Sequence, residues 1–393
     1  MSTLRVDAIR HNSATSDAIT MASDGTCTAK ITSVNGGSQL SHRNIIVNGA
    51  MTVAQRGVSS TAQGYETVDR FKSIQSSIDE VASQAQVDVA SGTTQYSLGF
   101  RKALKVTNGN QTSGAGASDF IRTLYYIEAQ DLANSGWNYK SSSSYITLSF
   151  WVKASVAQTY YTNFRAFDGT QKMYYFSYTL SADTWTKVTH TIPGHADISF
   201  DNDTGQGMYI QWYQFRGTNN TGPVTANQWH DLATSTFTPD QDSTWYTTND
   251  ATWEMTGVQL EVGDTATSFE HRSFGEELRR CQRYFFNITG DNGSRTGIPG
   301  YANATNELRC MVQFPVPMRA LPTVSGSSTA MVFDSQDDSA SFNCSSLVAG
   351  GAPTTSNPTQ MCIEVSTSGM TNGQGGQLEF RAANGLINFS AEL

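Results

Sequence analysis

Between Asn44 and about Glu270 the chain alternates apolar and polar residues with period two. In "YITLSFWVKAS", Ile146, Leu148, Phe150 and Val152 fall on one side, and Tyr145, Thr147, Ser149, Trp151 and Lys153 fall on the other. One apolar row per strand is the pattern of an antiparallel sheet packed on a core by one face. The same period runs through "KVTHTI" (Val188, His190, Ile192), "GMYIQWYQFRG" and "WEMTGVQLEVG", where Val258, Leu260 and Val262 form the expected inner row. Turn clusters rich in Gly, Asn, Asp and Thr ("TNGNQTSGAGAS", "DNDTGQG", "RGTNNTGP") separate these runs. Many short strands with little helical period predict an all-β fold, with a jelly-roll type β-sandwich over 44–270. One short helix fits within "SDFIRTLYYIEAQDLANSG", against the grain of its aromatic and β-branched content.

The flanks differ. Residues 1–43 carry only sparse apolar positions (Leu4, Val6, Ile9, Ile19, Met21, Ile31) among Ser, Thr, Asp and Gly. Burying so few cannot offset ordering entropy of roughly 1–2 kcal/mol per residue. The segment is either a mobile terminus or an extended anchor that adds strands to neighbouring copies or to a larger assembly.

Downstream, seven of the fourteen residues from Glu270 to Arg283 are charged, in a chain that is 15% charged overall. Ser273 and Glu276 fit a capping box, and Phe274, Leu278, Cys281 and Phe285 recur at helical spacing, which predicts a connecting helix of about three turns in 271–287. Residues 288–393 read as a smaller β domain. There "LRCMVQFPVPMRALPTV" is a strand broken by Pro315, Pro317 and Pro322, and further strands follow at "AMVFD", "QMCIEVS", "QLEFRA" and "LINFSAEL".

At 393 residues the length accommodates two or three domains at roughly 150 residues each. A net charge of −9 leaves no basic footprint for a polyanionic nucleic acid. Five scattered cysteines (Cys27, Cys281, Cys310, Cys344, Cys362) form no CxxC pair and read as free thiols of a reducing cytosol. No apolar run approaches the roughly 20 residues of a membrane span, and the N-terminus shows no export signal.

Signals for chemistry are weak. Asp168, Asp183, Asp197, Asp201 and Asp203 lie mostly in turns, where Asp serves local backbone hydrogen bonds more often than catalysis. "DNDTG" lacks the ordered ligand series of a calcium loop, and the six histidines have no metal-ligand spacing. Cys281 near His271 and Glu277 could be posed as a nucleophile pair, but its apolar helix position fits a buried thiol better. No catalytic residue, metal or cofactor is expected. The informative constellation is aromatic: six of the seven tryptophans lie between Phe150 and Met255, interspersed with tyrosines. Flat rings match the C–H face of a pyranose, while neighbouring amides address its hydroxyls. Packing in the core competes for every ring. Trp229, Trp245 and Tyr246, on polar loop-like stretches, are the candidate glycan contacts, together with Trp212, Gln214 and Arg216 of "QWYQFRGTNN".

Two paired motifs carry a resemblance. "NIIVNGAMTVAQRG" (Asn44, Asn48, Gly49, Met51, Gln55, Arg56, Gly57) and the later "GVQLEVG" with "FE", "EL" and "CQRY" (Gly257 to Glu261, Gly263, Phe269, Glu270, Glu277, Leu278, Cys281 to Tyr284) bracket the sandwich. In this order and spacing they resemble fibre-like virion proteins of tailed bacteriophages, in which such segments enclose a jelly roll like that of a carbohydrate-binding module. "STLRVDAIRH" is similar to the virion-attachment ends of marine phage fibres. The resemblance implies a homotrimeric virion fibre, joined to other virion proteins through residues 1–43 and recognising a host cell-surface polysaccharide. It implies a place on the particle surface, with no nucleic-acid partner and no membrane insertion. A trimer would set Leu278, Cys281 and Phe285 inward between subunits. A polysaccharide-degrading tailspike and a structural decoration without ligand are the alternatives; the first would show a long β-helix repeat, which is absent. "VDRF" stands where many relatives have a tryptophan, so sugar contacts do not transfer residue by residue.

Overall fold

The computed structural model describes residues 6–10, 12, 15, 17–24, 27–29, 42–232, 237–335, 340–349 and 356–393. The chain is all-β, with helices of at most nine residues among the described residues. Two six-stranded antiparallel sheets face each other as a sandwich. The front sheet runs Trp229–Asp231, Lys172–Leu180, Gln158–Ala166, Gln206–Arg216, Phe120–Glu128, Phe71–Ser76 from edge to edge. The back sheet runs Thr186–Pro193, Tyr145–Ala154, Thr252–Val262, Lys102–Thr107, Ser83–Asp88, Ser59–Ser60.

The predicted inner rows are where the core forms: Ile146, Leu148, Phe150 and Val152 are all fully buried against Phe164, Ile210 and Trp212 of the opposite sheet. Strand Thr252–Val262 needs a correction. Trp253 and Met255 point inward, a register shift between Thr256 and Gln259 inserts one residue, and Val258 and Leu260 then take the inner row, while the terminal Val262 is exposed. Gly257 makes the bulge at φ 65°, where a Cβ would stand 2.7 Å from Phe100. The stretch 118–136 is also corrected. Its aromatic and β-branched half is strand Phe120–Glu128, and only Ala129–Ala133 closes one helical turn.

The connecting helix spans Phe274–Gln282, and the Ser273 side chain accepts the Glu276 N–H at 3.3 Å as the capping box requires. Glu276 and Arg280 pair at 3.1 Å one turn apart. The expected intersubunit packing is corrected here. Cys281 and Leu278 bury against Val47 and Val53 of the same chain, and Phe285 is buried beneath the Arg56 guanidinium, 3.5 Å from its centroid. The entry segment folds back and covers Leu278 and Cys281 within the chain.

After the helix, Phe285–Gly290, Gly385–Ser390 and Thr323–Gly326 form a three-stranded sheet. A seven-stranded sheet carries the remaining C-terminal strands, and the two share a core of Phe333, Leu378, Ile387 and Phe389. At the N-terminus, Ala8–Ile9, Ile19–Met21 and Cys27–Ala29 pair antiparallel, and residues 1–5, 11, 13, 14, 16, 25, 26 and 30–41 of the expected anchor lie outside the described residues. Cys281, Cys310, Cys344 and Cys362 are free and buried; the Cys27 side chain lies outside the described residues.

Candidate functional site

The residues that carry the family resemblance converge on one place, the joint between sandwich, helix and C-terminal strands. Asn44 bridges the entry to the last sandwich strand: its Nδ2 donates to Val258 O at 3.0 Å and its Oδ1 accepts from Leu260 N at 3.0 Å. Asn48 sits at φ 62° and donates through Nδ2 to Val53 O and Asp69 O, both at 2.9 Å, while its own N–H donates to Glu277. Gly49 is there because a Cβ would lie 2.0 Å from the Val258 carbonyl. Gln259 and Glu261 hold the exit loop: Gln259 Oε1 accepts from Glu270 N at 2.8 Å, and Glu261 Oε1 accepts from Thr267 N at 2.8 Å.

Deeper in the joint, the fully buried Glu128 carboxylate accepts from Arg283 Nε and Nη2 at 2.7 Å each, from Tyr284 OH at 2.5 Å and from Gln130 Nε2 at 2.7 Å. These donors hold its pKa below the ordinary carboxylate value although burial pushes the other way. Arg70, also buried, pairs with Glu392, donates to Tyr126 O at 2.7 Å and lies over the Tyr284 ring at 3.4 Å. Most polar groups of this joint hold the chain to itself; Arg56 Nη1, Arg70 Nε and Arg272 Nε are left without a hydrogen-bond partner among the described residues.

The loop aromatics proposed as sugar contacts are packed instead. Trp245 is fully buried, its indole N–H donating to Thr252 O at 3.0 Å, and Tyr246 stacks on Phe215 at 4.3 Å with its hydroxyl on Asp119 at 2.9 Å. Both enter on the single turn Thr244–Thr247 that plugs one end of the sandwich, so polar neighbours in sequence hid an apolar destination. Trp229 is half-buried at the sheet edge, 5.3 Å from Tyr174, with its N–H on Pro193 O at 2.7 Å. Trp212 points into the core and Gln214 is buried at the bulge of its strand. Of the six, Arg216 alone projects on the outer side, above Phe120 and Phe237.

That outer side of the front sheet is the site the structure assembles. Register sets Arg122, Leu124 and Tyr126 opposite Tyr213, Gln211 and Tyr209, and these opposite Tyr161, Asn163 and Arg165. The alternate residues Tyr125, Ile210, Trp212 and Phe164 face the core, so this row faces out. Rings tile it: Tyr126 meets Tyr209 edge-on at 5.8 Å, and Phe167 meets Tyr209 at 5.2 Å. A polar relay crosses it: Arg122 Nη1 and Tyr213 OH both donate to Gln211 Oε1 (2.8 and 2.7 Å), and Asn163 Nδ2 and Arg216 Nη1 both donate to Tyr213 OH (3.0 and 2.8 Å). The relay is incomplete. Asn163 Oδ1, Gln211 Nε2, Arg122 Nε and Arg216 Nε have no hydrogen-bond partner among the described residues. Native proteins pair nearly all buried polar atoms, and clustered exceptions mark a place where something else completes the network.

Tyr161, Tyr209, Gln211 and Tyr213 belonged to the aromatic constellation seen in the sequence, whereas Arg122, Asn163 and Arg165 were missed. The alternation in "FIRTLYYIE" and "TNFRAF" carries them, and reading the first as helix lost it.

Elsewhere among the described residues, the candidate side chains are engaged in local contacts. Asp168 Oδ2 accepts Asp201 N at 2.9 Å and Asp203 Oδ1 accepts Gly205 N at 2.8 Å, both as turn contacts. His271 sits against Leu98 O at 2.8 Å, and burial pushes the Cys281 thiol up, away from nucleophilic use. His190 stacks on Phe176 at 4.0 Å and burial lowers its pKa to about 4. Among the described residues no group of three or more His, Cys, Asp or Glu could hold a metal ion, and no helix is long and apolar enough to cross a membrane.

No family model matches the chain, and no curated protein matches it. Solved structures with a similar sandwich include the enzymatically active domain of tailspike protein 4 of bacteriophage CBA120 (8% identity, TM-score 0.31, 56% of this chain). The chain spans about a fifth of that tailspike, 21%. Others are the family 11 carbohydrate-binding module of a Clostridium thermocellum cellulase (15% identity, TM-score 0.24, 55% of this chain and 98% of the module). The N-terminal cellulose-binding domain of a Cellulomonas fimi glucanase gives 10% identity and a TM-score of 0.26 over 55% of this chain and 99% of that one. At these identities and scores the likenesses assign neither ligand nor activity.

Proposed function

We propose that this chain is a homotrimeric virion fibre of a tailed bacteriophage that binds a host-surface glycan on the outer face of the front sheet without cutting it. The observation that carries the reading is the unfinished relay on that face. A sugar hydroxyl both donates and accepts, so one hydroxyl can satisfy Asn163 Oδ1 and Gln211 Nε2, which belong to directly paired strand positions. The flanking half-buried rings of Tyr126 and Tyr161 offer flat apolar surface to the pyranose. These polar atoms are now shielded by their neighbours, so the reading requires Arg122, Arg165 or the 222–228 loop to give way as the sugar enters. The motif resemblance supports the virion assignment, and the N-terminal hairpins support docking there: Val6, Ile9 and Met21 are exposed on a piece too small to bury them itself.

The test incubates the full chain with polysaccharide purified from candidate hosts, measuring retention and new reducing ends together. Retention that falls in Tyr161→Ala and Tyr126→Ala, with no new ends, is the expected result. Release of reducing ends would replace the binding reading with the tailspike one, and failure to bind any host polysaccharide would leave only a structural decoration.

A further inference from the structure

The outer face is also a place on the sandwich where, among the described residues, arginines gather without carboxylate partners. Arg56, Arg70, Arg272 and Arg283 each hold an acidic partner. Arg122, Arg165 and Arg216 form no ion pair among the described residues; their hydrogen bonds go to Gln211, Gln171 and Tyr213. Rings support the guanidiniums instead: Arg122 stands 4.9 Å from the Phe120 centroid, Arg165 4.8 Å from Phe167 and Arg216 4.1 Å from Phe237. Lys72 joins the row beside Tyr126 at 5.5 Å. Arg216 is only 5% exposed, and burial, with repulsion from Arg122, lowers its pKa. The bordering carboxylates are committed or peripheral. Glu392 is held by Arg56 and Arg70, Asp240 takes the Thr221 hydroxyl, and Asp242 acts on Tyr161 at the far side. Guanidiniums brought together and shielded from water without a carboxylate are costly unless an anion completes them.

We infer that the ligand of this face is an anionic saccharide, whose carboxylate or sulfate settles among Arg122, Arg165 and Arg216 while its ring lies over the neighbouring tyrosines. The inference rests on the glycan-binding reading and narrows it. Guanidinium forks suit planar carboxylates and tetrahedral oxyanions alike, through charge-assisted hydrogen bonds that a neutral sugar cannot form.

Affinity electrophoresis of the full chain through gels containing polygalacturonate, dextran sulfate, neutral dextran or neutral galactan tests it. Retardation by one or both polyanions and not by the neutral polymers is expected, weakening as salt is raised. The polyanion that retards tells carboxylate from sulfate. Arg122→Gln and Arg165→Gln should each weaken retardation roughly 10- to 100-fold. Arg165→Lys, which keeps the charge, should recover part of it, and this separates a contact from a folding defect. Equal retardation by neutral polymers, or polyanion binding untouched by both Gln variants, overturns the anionic inference and leaves the glycan reading standing. No retardation by any polymer, repeated with host polysaccharide, removes both.

Discussion

Glu128→Gln isolates what holds the two β units together. The substitution keeps shape and removes charge, but one carboxylate oxygen becomes an NH2 group facing donors: either Arg283 Nε with Tyr284 OH, or Arg283 Nη2 with Gln130 Nε2. Two charge-assisted hydrogen bonds are lost whichever way the amide turns, at about 1.5–3 kcal/mol each. The Arg283 side chain is 30% exposed and recovers part of that from water, whereas Glu128 is fully buried. The net expectation is about 2–4 kcal/mol. The seven tryptophans all lie between Trp137 and Trp253, so indole fluorescence in urea reports the sandwich, while far-UV circular dichroism reports both units. The two transitions are expected to coincide in the parent protein and to separate in Glu128→Gln. In a cycle with Arg283→Gln the coupling should reach about 1–3 kcal/mol. A shift under about 0.5 kcal/mol, or additivity within that margin, would refute the assignment of this carboxylate as the clasp.

Three further outcomes are expected. Gly49→Ala places a Cβ 2.0 Å from the Val258 carbonyl, a backbone atom that cannot yield, so soluble yield should collapse; a folded variant with unchanged urea midpoint would show that the entry turn is not wedged there. Trp245→Ala empties a fully buried site and should cost about 3–5 kcal/mol, so any loss of glycan retention should track lost folded protein when the two are measured together. Burial raises the pKa of Asp69 to about 6 from an ordinary 3.8, so the folded state binds its proton more tightly than the unfolded one. Stability should then rise as pH falls from above 6 toward 4, by on the order of 1–3 kcal/mol. Below that range it should fall again as Glu128 and Glu270, both held below their ordinary values, become protonated. Asp69→Asn should reduce the first slope in denaturation series at each pH, leaving the share of Asp131, which burial also raises to about 6; an unchanged slope would refute the Asp69 contribution.

The sandwich was legible because period-two alternation is a local consequence of the pleat, and one buried face imprints it on every strand. The inner rows of Tyr145–Ala154 and Thr186–Pro193 needed nothing beyond that. Where the sequence misled, a nonlocal fact decided. Trp253 and Met255 joined the inner row because one bulge at Gly257 shifts its phase, and Val262 lost its expected place because the strand ends there. Trp245 and Tyr246 sit among Ser, Thr and Asp, and only the meeting of that turn with Gln158, Asn108 and Phe215 makes the position interior. The binding face was half legible for the same reason: each strand shows its outward residues, but which strands lie side by side is a matter of topology. Arg122 and Arg165 are separated by 43 positions in the chain, with the Gln206–Arg216 strand between them in the sheet.

The charged run from Glu270 to Arg283 shows how a chemically dense motif can be wholly structural. Arg272 donates to Ile46 O at 3.1 Å and pairs with Glu270 at 3.3 Å; Glu277 accepts from Asn48 N; Arg283 and the adjoining Tyr284 donate to Glu128. Apart from the Arg272–Glu270 pair within the run, these partners come from the sandwich, so the run reads as chemistry only while they, 155 to 229 positions away in the chain, are out of view. The outer face presents the reverse case, with residues unremarkable in sequence and unfinished in space. The paired motifs therefore bear on how two β units are clasped, and they carry no information about the ligand. On the proposed reading, ligand choice rests with Arg122, Asn163, Arg165, Gln211 and Arg216, none of which belongs to either motif. Changes on the face should alter which polysaccharide is held without moving the joint, and changes at the joint should alter stability without changing ligand preference.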